Sequence, residues 1–110
     1  MATTRQAIAH LERMQRRGKP KARQVMAYFI GAETGPVKIG QTTDIRRRLS
    51  ALQVASPVRL TLLAVCRGGC QERMYHSQFA HSRLHGEWFE RTPEIEAEIA
   101  RLNRRHCHAE

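Results

Sequence analysis

Residues 25–49 run VMAYFIGAETGPVKIGQTTDIRRRL, and the fold turns on this stretch. Residues 25–30 are apolar and short, bounded by charge before them and by Gly31 after, which predicts a strand. Glu33-Thr34-Gly35-Pro36 is turn chemistry. Residues 37–40 form a second short strand, so the two make a hairpin. With 31–35 as the loop, Ile30 faces Pro36 and Tyr28 faces Lys38 on one side of the sheet, their Cβ atoms roughly 5 Å apart. Thr42-Thr43-Asp44 then supplies an N-cap, and Ile45, Leu49 and Leu52 mark one apolar face of a helix.

Outward from this stretch the signals are plainer. On the N-terminal side, Thr3 or Thr4 caps a short helix with Ile8, Leu11 and Met14 weakly periodic, and Gly18-Lys19-Pro20 ends it. On the C-terminal side, Ser56-Pro57 stops the helix after the hairpin, and residues 58–66 form the longest strand, expected deep in the sheet. Gly68-Gly69 turns the chain, residues 70–82 predict a helix, and residues 86–89 read as a connector with aromatics. Thr92 caps a last helix with Pro93 at its first position, Ile95, Ile99 and Leu102 as its buried stripe, and arginines toward its end. The order (α)ββαβαα predicts a small α/β (α+β) sandwich, one antiparallel sheet with helices packed against it.

The chain has 110 residues, which suits one small domain, and a formal net charge of +9. Residues 1–25 hold seven Lys and Arg against Glu12, which leaves +6 there and +3 on the rest. A basic arm on a nearly balanced domain points to a polyanion. The arm lacks the broad apolar face of an interfacial helix, which favours nucleic acid over a membrane. The longest apolar run, residues 62–66, is far too short to span a bilayer. Three cysteines without framework spacing fit reduced thiols in a cytoplasm. Residues 1–24 therefore read as a basic N-terminal arm with a short helix, with Arg17, Lys19, Lys21 and Arg23 as nucleic-acid contacts. Residues 25–106 read as the functional domain.

Several side chains in that domain carry chemistry. At roughly 100° per residue, Arg48 lies about 60° from the centre of the Ile45/Leu49/Leu52 stripe and can reach back over the sheet. Arg47 points to solvent and Arg46 to the other flank, where both can meet nucleic acid. A planar guanidinium near a phosphate stabilises charge gathering there. Glu72 and His76 lie four apart on one helical face with Phe79, and a carboxylate there can hold Mg²⁺ (or Mn²⁺), which keeps several of its waters. Tyr28 is a poor base with an ordinary pKa near 10. A cation beside it would lower that value, and Lys38 is placed to be that cation. Cys66 and Cys70 with His76 and His81 suggest zinc, although the spacing is not a usual structural pattern. Trp88 and Phe89 read as anchors of the connector.

Taken in order, these residues resemble the GIY-YIG nuclease superfamily, in its branch of short phage, bacterial and fungal domains. The first motif ends in a tyrosine, as Met26-Ala27-Tyr28 does; the second follows ten residues on, as Lys38-Ile39-Gly40, with Gly40 as its structural glycine. An arginine follows ten residues later, as Arg48, and then a glutamate, a histidine four on and a closing Gly-Glu-Trp-Phe, here Glu72, His76 and Gly86-Glu87-Trp88-Phe89. The likeness covers about residues 25–90. Met26 stands where the first motif has glycine, and Lys38 where the second has tyrosine.

The resemblance implies a three-stranded antiparallel sheet flanked by helices, and metal-dependent endonuclease hydrolysis of DNA. Tyr28 would act as general base or orient the water, Lys38 would activate it, Arg48 would bind the scissile phosphate and Glu72 would hold one Mg²⁺ or Mn²⁺. His76 would assist the tyrosine, position water or support the site. A DNA-binding module with the same fold and no catalysis is the alternative. One site per chain makes a homo-oligomer an option for cutting two strands.

Overall fold

The computed structural model describes residues 4–16, 24–68 and 71–108. In chain order these form α1 (Thr4–Arg16), β1 (Met26–Gly31), β2 (Val37–Thr42), α2 (Ile45–Val54), β3 (Thr61–Arg67), α3 (Gln71–Gln78), a 3-10 turn (Ala80–Ser82), β4 (Arg83–His85), β5 (Trp88–Phe89) and α4 (Pro93–His108). The sheet order is β3-β1-β2-β5-β4 and every pairing is antiparallel. The fold is α+β, as the alternation of elements predicts.

β1 is buried along its whole length. It lies between β3 and β2 with helices on both faces, which is why it reads as a continuous apolar run rather than an alternation. Period-two geometry sorts the sheet into two cores. Ala27, Phe29, Val37, Ile39, Ala64 and Cys66 point to one side. They meet Tyr75, Phe79 and Phe89 and the Ile95, Ile99 and Leu102 stripe of α4. Met26, Tyr28, Ile30, Leu62 and Val65 point to the other, against Ala7 and Leu11 of α1 and Ile45 of α2. So α1 is docked on the sheet.

Two of the three expected helix caps form among the described residues. The Asp44 side chain accepts from the Arg47 backbone N–H at 3.1 Å, and Thr92 Oγ1 accepts from Ile95 N–H at 3.3 Å. The 70–82 helix stops at Gln78 and continues as the 3-10 turn.

Three expectations are corrected. The hairpin register is displaced by two residues: Tyr28 lies opposite Gly40, and Lys38 opposite Ile30. Pro36 has no N–H to give a ladder, so pairing closes one step later, between Gly31 and Val37, and residues 32–36 form the loop. Arg91 fastens that loop, donating to the Ala32 carbonyl at 2.6 Å and the Gly35 carbonyl at 2.8 Å. The sheet has five strands rather than three, because Gly86, at φ +56, turns the expected connector into a short ribbon, β4–β5, against β2. Finally, β3 is an edge strand, not a central one. Its open side is protected: α1 and α4 each pack on β3 and on one another, and Asn103 Nδ2 donates to the Leu63 carbonyl at 2.9 Å.

Candidate functional site

Beyond Ile39, no described strand pairs with the outer side of β2: the ribbon's last ladder contact is the Glu87 carbonyl, which accepts from Ile39 N–H at 2.9 Å. Here α2, from one face of the sheet, and α3, from the other, bring their polar side chains to the same place. Gly40 makes the place possible. A Cβ on it would stand 2.5 Å from Tyr28 Oη, 2.7 Å from Tyr28 Cζ and 2.6 Å from Glu87 Oε1. The phenol and the carboxylate thus converge over a backbone position that tolerates only glycine.

Arg48 does reach back over the sheet: its Nη1 donates to Tyr28 Oη at 3.3 Å. Tyr28 itself is 0% exposed, its hydroxyl covered by its neighbours. Burial pushes the Tyr28 pKa above its ordinary value, the Glu87 charge adds to the rise, and Arg48 offsets it only in part. The phenol is therefore neutral at pH 7.

Glu72, in the first turn of α3, has the Glu87 carboxyl as a neighbour. Its pKa is raised, first by burial and then by the neighbouring Glu87 carboxyl, against the pull of His76 and Arg48.

Lys38 has a different partner from the one its spacing predicts. Its Nζ lies 3.4 Å from Glu87 Oε1 and 5.3 Å from the centroid of the Trp88 ring. The displaced register carries it past Tyr28, and Arg48 is the cation on the phenol. The expected Lys38–Tyr28 pairing is corrected accordingly.

His76 Nε2 lies 2.8 Å from the Ile39 carbonyl, to which it must donate, and its ring meets the buried Phe89 edge-on at 4.9 Å. The histidine ties α3 to β2 and so fixes Glu72 one turn earlier. Arg46 Nη2 pairs with Glu12 Oε2 of α1 at 3.1 Å, while Arg47 is exposed. Trp88 is half-buried under Lys38. Arg17, Lys19, Lys21 and Arg23 lie outside the described residues, as does Cys70. Cys66 is buried beside Tyr75, and His81 is exposed.

The residue that sequence reasoning missed is Glu87. Its signal was present, a carboxylate between a turn glycine and an aromatic anchor, but only the β4–β5 ribbon brings it across β2.

Among the described residues no three or more His, Cys, Asp and Glu side chains form a metal-holding group. The Glu72–Glu87 pair offers two carboxylates, and Mg²⁺ is ordinarily held by one or two together with water and substrate phosphate. The donors present fit such an ion.

Fold and site together define an α+β domain with a tyrosine, an arginine and a carboxylate pair at the uncovered edge of its second strand. The chain belongs to the T5orf172 domain family, which matches residues 26–106. No curated protein and no solved structure matches it. No described helix is long and apolar enough to cross a membrane.

Proposed function

We propose that this chain is a metal-dependent endonuclease that hydrolyses DNA phosphodiester bonds by a GIY-YIG-type mechanism. The observation that carries the reading is the Arg48–Tyr28 contact beside Glu72. It joins a guanidinium fork, a hydroxyl and a carboxylate from three separate elements.

In such a hydrolysis a water oxygen attacks phosphorus, the bond from phosphorus to one ester oxygen breaks, and that oxygen leaves protonated. Arg48 donates to the non-bridging phosphate oxygens, where negative charge gathers. Tyr28, neutral at pH 7, orients the attacking water through its hydroxyl rather than standing as a phenolate. The Arg48 and Glu87 side chains beside it are only half-buried. Glu72 would hold a divalent cation, which when bound would supply Lewis-acid polarisation of the phosphate. His76 positions Glu72 through the Ile39 carbonyl. Arg47 and the basic segment before β1 meet the DNA backbone by charge, a sequence-independent and salt-sensitive term.

The test is to incubate the chain with labelled duplex, single-stranded and branched DNA, with Mg²⁺, Mn²⁺ or EDTA, beside Glu72→Ala. Metal-dependent cutting that the variant loses is expected. DNA bound by both proteins with nothing cut would make the chain a binding module.

A further inference from the structure

We propose that Trp88 is a stacking platform for an unpaired DNA base beside the scissile phosphate; the inference rests on the DNA-cutting reading above. Opposite residues of paired strands share a face of the sheet. Tyr28 lies opposite Gly40, Trp88 opposite Lys38 and His85 opposite Trp88. Lys38 and Gly40 are two apart on β2, so they share that face as well. Trp88 therefore lies on the face that carries the Tyr28 phenol and α2 with Arg48. It stands one strand over and two residues along from Gly40, about 8 Å away at ordinary strand spacings. When Arg48 meets one phosphate of a strand, the neighbouring nucleotide falls within reach of this ring.

The two aromatics of β5 serve differently. Phe89 is fully buried and belongs to the core against α3 and α4. Trp88 belongs to neither core, and no β4 or β5 residue joins the one that α1 and α2 make on its own face. Core packing thus does not account for the bulkiest side chain of the molecule. Its ring is half-buried, with the Lys38 Nζ 5.3 Å from the centroid and the exposed His85 beside it. An open aromatic ring with a cation at its face is what bases of a single strand stack on. Lys38, Arg48 and a net charge of +9 supply the positive field that the strand's phosphates need. Bases of an intact duplex stay inside the stack, so this ring selects a base that is unpaired or extruded. The rival explanation is that Trp88 only shields the Lys38–Glu87 ion pair.

Trp88 is the single tryptophan of the chain, so its fluorescence reports on this ring alone. The full chain is titrated with oligo(dT), with an abasic strand of equal length and with a blunt duplex, first in EDTA and again with Ca²⁺. The anisotropy of a label on each DNA reads binding. Oligo(dT) is expected to quench Trp88, and the abasic strand and the duplex to bind without quenching it. Trp88→Leu is expected to weaken oligo(dT) binding about fivefold or more and to leave duplex binding unchanged, while Trp88→Phe, which keeps a ring, loses less. Thermal unfolding checks that each variant is folded, and the wild-type quenching is read without them. If oligo(dT) binds and Trp88 is not quenched, or if the abasic strand or the duplex quenches as strongly, the inference falls and the nuclease reading stands. If Trp88→Leu weakens oligo(dT) and duplex alike, the ring acts through the fold, and the inference falls. If none of the three DNAs binds in either condition, both fall.

Discussion

Tyr28 and Tyr75 are buried on opposite faces of one sheet, and their hydroxyls are used differently. Tyr75 packs edge-on to Phe29 at 4.9 Å and stacks on Phe79 at 6.0 Å. Its hydroxyl donates to Glu98 Oε2 at 2.6 Å, and Arg101 grips both Glu98 oxygens at 2.8 and 2.6 Å. Burial alone would raise the Glu98 pKa, yet the bonds from Arg101 and Tyr75 outweigh it and leave the carboxyl below its ordinary value. Donor, acceptor and counter-charge are all satisfied there. Tyr28 has a longer bond, 3.3 Å, from Arg48, whose charge also acts on the neighbouring Glu72 carboxyl. A saturated network holds a helix on a sheet. A looser one at the end of a strand leaves the Arg48 fork and the Glu72 carboxyl half-buried, within reach of a ligand.

This contrast can be broken in several ways. The largest effect is expected at Arg48. Arg48→Ala should lower the cleavage rate by about a hundredfold or more, because the fork that stabilises phosphate charge is lost. Its unfolding midpoint should barely move, since the bond it gives up is long. A rate loss matched by a comparable loss of stability would mean that Arg48 is structural.

Gly40→Ala comes next. The new methyl group has a buried ring and a carboxylate in its place. Overpacking of this kind costs about 1–3 kcal/mol, measurable by denaturant unfolding. The variant should also displace Tyr28 and Glu87, so that cleavage falls with stability.

The smallest effect is the alkaline limb of stability. Both tyrosines have folded pKa values above the ordinary 10.0, Tyr75 by burial and by its bond to Glu98, Tyr28 by burial and by Glu87. The unfolded chain releases these protons near pH 10 while the folded chain keeps them. Their contribution is therefore complete below about pH 10 and is lost as pH rises above it. Thermal midpoints from about pH 8 to about pH 11 should fall more gently in Tyr75→Phe than in the wild type.

Much of this was legible in the sequence, for local reasons. Asp44 and Thr92 cap helices through bonds that span three residues, and the angular position of Arg48 follows from helix geometry alone. Glu72 and His76 share a face for the same reason. What failed depended on distant partners. The hairpin register hangs on whether Gly31 or Pro36 closes the ladder, and that displacement moved Lys38 from Tyr28 to Glu87. β4 is three residues long and exposed throughout, so it has no apolar alternation to betray it. β3 reads as a central strand because α1 and α4 bury both its faces, although one side has no strand beside it. Glu87 carries no local mark of function, because its place is set by β2, far away in sequence.

The most direct measurement is the Mg²⁺-dependent cleavage rate of labelled DNA by Tyr28→Phe and Tyr75→Phe, compared at a temperature where both are folded. The account predicts that Tyr28→Phe loses about a hundredfold or more, while Tyr75→Phe cuts at the wild-type rate despite lower stability. Equal rates in the two variants would contradict it, because the Tyr28 hydroxyl would then be no more than a second buried phenol.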